Sequence, residues 1–372
     1  DSMDTLSGIS VNEDMIRKYN YSEYFSSIIG YTGPISESEY TALHKKNKDY
    51  TQNDTVGKAG LEQYYETYLR GKNGEQKFYI DNVGRISEII SSTDSVAGDD
   101  LYLSIDADLQ KATYLALQNE IAAIVYSNIK SGEIPINDVY TALIGNSVIN
   151  TEHFSKSKAS DTEKSVLSVF KSRQKTTLGK IKQELTSSPE ALNTMSDEVL
   201  DEFTYIISML KDDQVLLKNE IDTSDSVYQK WKDQKISPKE YLNYCITQHW
   251  IDISQLNVDE KYADSTEVYD ALCKYILKNI KTDTEFSKII YQYMITRGEI
   301  SPRQLCLILF DQGVLDYDDA TVNKLKNGSL SPRDFLMKKI YNIEITPAQL
   351  ALEPCIGSLS LIHISEPTRP IS

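Results

Sequence analysis

The sequence has few cysteines and histidines and no long apolar run. Four cysteines and four histidines are spread through 372 residues, and no C-x-x-C pair occurs. Zinc sites and dithiol redox motifs are therefore not indicated, and we expect no metal and no cofactor. No stretch approaches the ~18 consecutive apolar residues that a membrane-spanning helix needs, so no span is predicted within the sequence.

Positive charge is also scarce. The 39 lysines and arginines are outnumbered by 55 aspartates and glutamates, which gives a net charge of −16. Because a phosphate backbone is bound by clustered lysine and arginine, nucleic acid is not expected as a partner. The length and the apolar fraction of 40 % are typical of a globular protein with two or three domains.

The cysteines do not form an evident framework. Their neighbours in the sequence are apolar, which predicts buried free thiols rather than a disulfide set or a redox site. The four positions are Cys245, Cys273, Cys306 and Cys355.

Residues 56–74, VGKAGLEQYYETYLRGKNG, are rich in glycine. Gly57 and Gly60 have the spacing of a tight turn that leads into a helix, and Gly71 ends it. Apolar residues at helical spacing predict a helix over Leu61–Leu69 with one apolar face, formed by Leu61, Tyr64, Tyr65, Tyr68 and Leu69. Glu62 and Arg70 lie near its two ends, and we expect them to anchor the neighbouring glycine loops by hydrogen bonds.

The surrounding residues predict a small α+β unit. Lys77–Asp81 and Arg85–Ser91 have the composition of strands joined by a turn at residues 82–84, and Asp100–Ser104 is predicted as a third strand. Ser36 and Glu39 form a capping box for a helix that runs to about Lys46. Asp106 is predicted to cap a longer helix.

These segments resemble, in order and spacing, the N-terminal region of the class B high-molecular-weight penicillin-binding proteins, which are membrane-anchored peptidoglycan D,D-transpeptidases. The matching strings are IIGYTGPISESEY (28–40), NDTVGKAGLEQYYETYLRGKNG (53–74), the Asp81-x-x-Gly84 turn and DLYLSIDADLQ (100–110). The resemblance implies a non-catalytic pedestal. Its shape would depend, structurally rather than chemically, on Gly57, Gly60, Glu62, Arg70, Gly71, Gly74, Asp81, Gly84 and Asp106.

From about Ser127 to Asn342 the pattern becomes almost wholly helical. Helices are predicted over Glu163–Leu185, Asp197–Leu210, Thr266–Ile280 and Glu285–Thr296. Several starts place a hydroxyl residue at the N-cap and proline at the next position, namely Ser188-Pro189, Ser237-Pro238, Ser301-Pro302, Ser331-Pro332 and Thr346-Pro347. Because the intervals between them are uneven, we predict a compact bundle of short helices rather than a solenoid.

The predicted organisation is a mixed pedestal at 1–126 followed by an all-helical domain at 127–342. Residues 345–355, ITPAQLALEPC, resemble the family's entry into its transpeptidase domain, so the helical domain is predicted as an insertion and 343–357 as a truncated transpeptidase start. Residues 358–372, SLSLIHISEPTRPIS, resemble translated sequencing-adaptor read-through. The alternative is a genuine proline-rich tail, and His363 is not interpreted as a ligand or base.

Catalytic residues are not predicted in this sequence. The family's chemistry needs Ser-x-x-Lys, Ser-x-Asn and Lys-Thr/Ser-Gly in one cleft. Ser155/Lys158 and Ser168/Lys171 fit the first pattern, but no Ser-x-Asn accompanies Ser168, and Lys175-Thr176-Thr177 lacks the glycine of the third pattern. Serine and lysine at this spacing are common by chance. The acidic pairs Asp99-Asp100, Asp212-Asp213 and Asp318-Asp319 are predicted to be solvated.

We therefore expect the N-terminal part of a protein that cross-links peptidoglycan stem peptides through a serine ester. The resemblance implies a glycan-polymerase partner of the elongation or division machinery and peptidoglycan precursors bound by a missing domain. It also implies an extracytoplasmic location and a missing N-terminal membrane anchor. The alternative is a non-enzymatic cell-wall scaffold or protein-interaction protein.

Overall fold

The computed structural model describes residues 16–80, 86–187, 190–258 and 263–352. The chain divides into two compact units between Gln118 and Asn119. The N-terminal unit contains short helices and two small antiparallel sheets, and the second unit, here called the helical unit, is built from helices. The predicted α+β class, with a mixed part followed by an all-α part, is confirmed.

The N-terminal unit alternates short helices and strands. In order they are α1 (Ser22–Ile29), β1 (Thr32–Pro34), α2 (Glu37–Lys46), β2 (Thr55–Gly57), α3 (Gly60–Tyr64), α4 (Glu66–Leu69), β3 (Glu75–Ile80), β4 (Ile86–Thr93) and α5 (Ala107–Ser131), which continues into the helical unit. Strand β1 pairs antiparallel with β2, with Thr32 opposite Gly57, and β3 pairs antiparallel with β4, with Glu75 opposite Thr93.

Two of the local predictions are confirmed here. The Ser36 amide donates to Glu39 Oε2 over 2.8 Å and the Glu39 amide donates to Ser36 Oγ over 3.4 Å, which is the predicted capping box of α2. The predicted pair of adjacent strands is β3 and β4. The connecting turn, including Asp81 and Gly84, lies outside the described residues.

The strand predicted at Asp100–Ser104 is wrong. These residues are irregular and Tyr102 is exposed. A period-2 pattern forms a strand only where a neighbouring strand can pair with it, and among the described residues none pairs with this segment.

The single helix predicted over Leu61–Leu69 is also wrong. The segment forms two short helices, α3 and α4, which meet at Tyr65. Tyr64 and Tyr68, predicted on an apolar face, are 78 % and 62 % exposed, whereas Glu62 and Glu66 are 3 % and 5 % exposed. The two glutamates are one helical turn apart, so the buried face carries carboxylates and the tyrosines face solvent.

The helical unit continues from α5 through a series of short elements. They are α6 (Ile136–Gly145), α7 (Asp161–Thr186), α8 (Asp197–Asp212), α9 (Ser226–Lys232), α10 (Pro238–Thr247), α11 (Ser265–Ile280), α12 (Thr284–Thr296), α13 (Pro302–Asp311), α14 (Asp319–Asn327) and α15 (Pro332–Tyr341), with 3-10 turns at Thr151–Ser155, Leu192–Thr194 and Ile253–Gln255. The four helices predicted by number, now α7, α8, α11 and α12, are confirmed to within two residues at each end.

Hydroxyl caps begin several of these helices as predicted. The Oγ atoms of Ser237, Ser301 and Ser331 each accept the backbone N–H three residues further on, over 3.0–3.3 Å. Thr346-Pro347 differs, because the capping hydrogen bonds form but the chain makes a turn rather than a helix. Ser188-Pro189 lies outside the described residues.

A fifteen-residue repeat, not predicted from the sequence, runs through the last helices. The residues that follow α12, α13, α14 and α15 and adopt positive φ are Gly298, Gly313, Gly328 and Ile343. The residue two positions beyond each donates its N–H to a helix carbonyl six residues earlier, and it is buried at Ile300, Leu315 and Ile345. The repeat is hidden in the sequence because Leu315 is followed by Asp-Tyr rather than by a hydroxyl residue and proline.

The core of the helical unit is aliphatic and aromatic and extends past Asn342, since Ile345, Leu350 and Leu352 belong to it. Cys245, Cys273 and Cys306 are buried free thiols, as predicted, and Cys355 lies outside the described residues. Among the residues that the structure describes, no helix is both long enough and apolar enough to cross a bilayer.

The turns with positive φ can be tested by two opposite substitutions, one that introduces glycine and one that removes it. Gln214 is exposed with φ of 60° in the same kind of turn, whereas Gly313 has φ of 69° and open space where a Cβ would lie. Because the left-handed conformation costs a side-chain-bearing residue roughly 1–2 kcal/mol, Gln214→Gly should raise the free energy of unfolding by about 0.5–1 kcal/mol. Gly313→Gln should lower it by a similar amount, measured by urea unfolding. Two changes of the same sign would contradict the explanation.

Candidate functional site

Glycines allow two close backbone approaches in the N-terminal unit. Gly60 has φ of 58°, and a Cβ there would lie 2.6 Å from the carbonyl oxygen of Ile28. Gly71 has φ of 72°, and a Cβ there would lie 2.2 Å from the carbonyl oxygen of Val96. Real side chains do not fit at these distances, so both positions require glycine. The facing residues are also glycines, Gly30 opposite Gly60 and Gly98 opposite Gly71.

Glu66 connects the first of these regions to the helices. Its buried carboxylate accepts the Gly57 N–H over 2.8 Å and the Tyr50 hydroxyl over 3.4 Å. Burial raises the pKa of Glu66, and the hydrogen bond from Gly57 and the charge of Arg17 offset part of this rise. A carboxylate on α4 therefore holds the end of strand β2 in place.

Glu62, on the same buried face, is paired with a cation from the start of the described chain. Arg17 Nε donates to Glu62 Oε2 over 3.1 Å, and Arg17 Nη1 also donates to the carbonyl oxygen of Leu69. One guanidinium therefore joins α3 to the last residue of α4. A buried carboxylate is tolerated only when such a partner compensates its charge.

Arg70 closes the other side of this network. Its guanidinium is paired with the Asp54 carboxylate, donates to the Asp49 carbonyl oxygen over 2.8 Å and lies 4.0 Å from the Tyr50 ring centroid. Burial acts to raise the pKa of Asp54, but hydrogen bonds from Thr51 and the charge of Arg70 outweigh it, so the pKa is lowered. The loop before β2 is thus fixed to the end of α4.

The prediction that Glu62 and Arg70 anchor the glycine loops by hydrogen bonds is wrong, because their hydrogen-bond partners are other residues. Among the described residues neither side chain bonds a glycine, and Glu66, which the sequence analysis did not single out, makes that bond. The sequence signal for a buried Glu66 was its i,i+4 spacing from Glu62, which places both glutamates on one side of the segment. The tyrosines in the same segment can then face water, because a tyrosine side chain tolerates exposure.

The remaining predicted residues lie around the network or outside the described part. Gly57 and Gly74 each face backbone too closely for a Cβ, at 2.2 Å from the Glu62 carbonyl oxygen and 2.8 Å from that of Thr93. Asp106 caps α5 by accepting the Leu109 N–H over 2.9 Å. Asp81 and Gly84 lie outside the described residues.

A cleft of about 410 Å³ lies beside the network within the N-terminal unit. Arg17, Glu62 and Arg70 contribute to one wall, and the irregular segment that includes Leu101 and Tyr102 contributes to the other. In this wall Arg17 is paired with Glu62, and Arg70 is paired with Asp54 of the neighbouring loop.

The two Ser-x-x-Lys strings do not form a catalytic arrangement. Ser168 and Lys171 are exposed on α7. Ser155 Oγ donates to the backbone carbonyl of Glu152 over 2.9 Å. A nucleophilic serine needs a base within hydrogen-bonding reach and a cleft for substrate, which these residues lack.

The acidic pairs do not form a metal site either. Asp99, Asp100, Asp212, Asp213, Asp318 and Asp319 are all exposed, as expected for solvated carboxylates. Within the described ranges, no group of three histidine, cysteine, aspartate or glutamate side chains could hold an ion.

Comparison with known proteins finds similarity in the N-terminal part of the chain. Residues 1–103 match the Penicillin-binding Protein dimerisation domain family. The peptidoglycan D,D-transpeptidase MrdA of Salmonella typhimurium LT2 is 31 % identical over 131 residues, which is 35 % of this chain and 21 % of that protein. MrdA of Escherichia coli K12 is 30 % identical over 129 residues, or 34 % of this chain and 20 % of that protein.

A penicillin-binding protein from Bacillus subtilis is also similar to this chain. Penicillin-binding protein 2A of Bacillus subtilis 168 is 32 % identical over 123 residues, which is 32 % of this chain and 17 % of that protein. The chain thus spans about a fifth of the length of the curated relatives it matches.

The paired arginine gives a test of the network. Arg70→Ala leaves the Asp54 carboxylate buried without its cation, a change that costs about 3 kcal/mol in comparable buried pairs. Amide hydrogen exchange in residues 49–70, read by mass spectrometry, should accelerate by roughly a hundredfold. Adding Asp54→Asn should restore part of the protection because it removes the stranded charge.

Lys77→Ala is the matched control, since the Lys77–Glu75 pair is 3.2 Å long but exposed. It should leave the exchange rates nearly unchanged. Equal effects of Arg70→Ala and Lys77→Ala would show that the buried pair does not hold the unit together.

Proposed function

We propose that this chain is the N-terminal, non-catalytic part of a peptidoglycan D,D-transpeptidase, because residues 1–103 match the Penicillin-binding Protein dimerisation domain family. The full protein would cross-link stem peptides by acyl transfer through a serine ester. This part would position the catalytic domain and contact partners. The match of residues 1–103 to the family is the observation that carries the proposal.

The site supports a mechanical role. The buried network of Glu62, Glu66 and Arg70 joins two helices, strand β2 and the loop at residues 49–54 into one unit. Its charged groups are engaged in internal contacts, which supports a role in positioning. A rigid pedestal of this kind is what a domain held at a fixed distance from a membrane requires.

The inserted helical domain, proposed at 127–342, has its ends close together. The Tyr126 and Tyr341 rings are 5.2 Å apart, and Arg333 Nη2 donates to the Ile129 carbonyl oxygen over 3.1 Å. A segment that leaves and returns at one place is the geometry of a tolerated insertion. We further propose that 343–357 lead into the transpeptidase domain, with Ile345, Leu350 and Leu352 still packed in the core of the helical unit, and that 358–372 are artefactual. Residues 353–372 lie outside the described part.

The partner and location follow from the same proposal. We propose that the pedestal at 1–126 contacts the glycan polymerase of the elongation or division machinery. The full protein would have a single N-terminal membrane anchor, and this region would lie outside the cytoplasm. A non-enzymatic cell-wall scaffold is the alternative.

Penicillin labelling tests whether this part is non-catalytic. The chain incubated with a fluorescent penicillin should carry no covalent label, while a full-length class B penicillin-binding protein treated in parallel should be labelled. A label that disappears in Ser168→Ala and persists in Ser165→Ala, a change of an exposed serine on the same helix, would overturn the proposal.

A further inference from the structure

A cleft of about 540 Å³ lies on the helical unit between the C-terminal half of α5 and helix α15. Its size is within the range of small-ligand sites in proteins. The cations and aromatic rings lie on both helices. Its main lining residues are Tyr126, Lys130, Arg333, Met337, Lys338 and Tyr341.

The cleft is positively charged although the chain has a net charge of −16. Lys130, Arg333 and Lys338 contribute three cations, and among the described residues no carboxylate lies within ion-pairing distance of any of them. Uncompensated cations that converge on one concave surface attract an anionic ligand.

The acidic residue of the lining does not neutralise this charge. Asp334 is at the start of α15, where its carboxylate accepts the Ser331 hydroxyl over 2.7 Å. Arg333 uses one N–H for the Ile129 carbonyl oxygen and retains four others, since a guanidinium has five donors. The cleft therefore keeps several donors for a ligand.

Aromatic and apolar groups complete the surface. The Tyr126 and Tyr341 rings meet edge to face with centroids 5.2 Å apart, and Tyr341 is 54 % exposed. Met337 is buried and adds an apolar side chain to the lining. Flat tyrosine faces beside cations favour a ligand that has both an apolar ring face and a carboxylate, as an acidic sugar has.

We propose that this cleft binds a carboxylated glycan, with pyranose rings against Tyr126 and Tyr341 and carboxylates paired with Lys130, Arg333 and Lys338. This inference rests on the proposed function, because a chain at the cell wall meets glycan strands, and where their stem peptides have been removed the lactyl groups of the sugars carry free carboxylates. An acidic peptide is the competing occupant, but it has no need of exposed ring faces.

Matched ligands test the proposal on the full chain. The probe is a tetrasaccharide of alternating N-acetylglucosamine and N-acetylmuramic acid without peptide, and the control is the neutral N-acetylglucosamine tetrasaccharide of the same length. Isothermal titration calorimetry at low salt should show binding of the carboxylated probe at least roughly tenfold tighter than the neutral one, and this difference should shrink in high salt. Equal binding of the two ligands would overturn the proposal.

Matched variants locate the site. Lys130→Ala with Lys338→Ala, and separately Tyr341→Ala, should each weaken the carboxylated probe by roughly fivefold to tenfold. Tyr317→Ala removes a tyrosine that is 62 % exposed elsewhere on the helical unit, and Lys182→Ala removes an exposed lysine on α7, so neither should change binding. Circular dichroism should show that every variant keeps its helices.

The remaining outcomes separate this inference from the proposed function. Binding of a glutamate-rich peptide as tight as that of the glycan would overturn the inference, as would undetectable glycan binding. Neither result would affect the penicillin experiment or the family match. Glycan binding by a chain that penicillin acylates would overturn the proposed function and leave the inference intact.

Discussion

The buried carboxylate of Glu66 is the contact on which the N-terminal unit depends. It accepts the Gly57 N–H and so fixes strand β2 against α4, while Glu62 on the same face is held by Arg17. Burying two carboxylates is unfavourable unless each is compensated, and here backbone and guanidinium donors provide that compensation. The Arg70–Asp54 pair then fixes the loop before β2. The facing glycine pairs, Gly30 with Gly60 and Gly71 with Gly98, allow the backbones to come close enough for these bonds to form.

Much of this unit could be predicted from its sequence, but the key carboxylate could not. The glycine positions, the capping box at Ser36 and the hairpin were recognisable because they depend on residues close together in the chain. Glu66 was missed because its partners lie 9 and 16 residues away and because two short helices do not obey the apolar periodicity of one long helix. The strand at Asp100–Ser104 was predicted from the local sequence, without a partner strand.

In the helical unit, the positions of several helices could be predicted from the sequence, but the repeat, the buried acid and the cleft that the helices form could not. Caps and apolar periodicity located α7, α8, α11 and α12, whereas the fifteen-residue repeat is hidden where the cap sequence changes after Leu315. Glu202 is a second example. Burial and then the charge of Glu198 raise its pKa to about 8, and no sequence pattern distinguishes it from the exposed acids of the same helix. The cleft of Lys130 and Tyr341 likewise joins residues more than two hundred positions apart.

The central claim is that a rigid, non-catalytic pedestal and an inserted helical unit form the N-terminal part of a peptidoglycan transpeptidase. The structure describes the network of the N-terminal unit and the adjacent ends of the helical unit, and residues 1–103 match the Penicillin-binding Protein dimerisation domain family. Sequencing the genomic locus through and beyond the codon for Gly357 tests the claim most directly. We predict an open frame that continues into Ser-x-x-Lys, Ser-x-Asn and Lys-Thr-Gly motifs in that order; a genomic stop codon after residue 372 with no such motifs would contradict it.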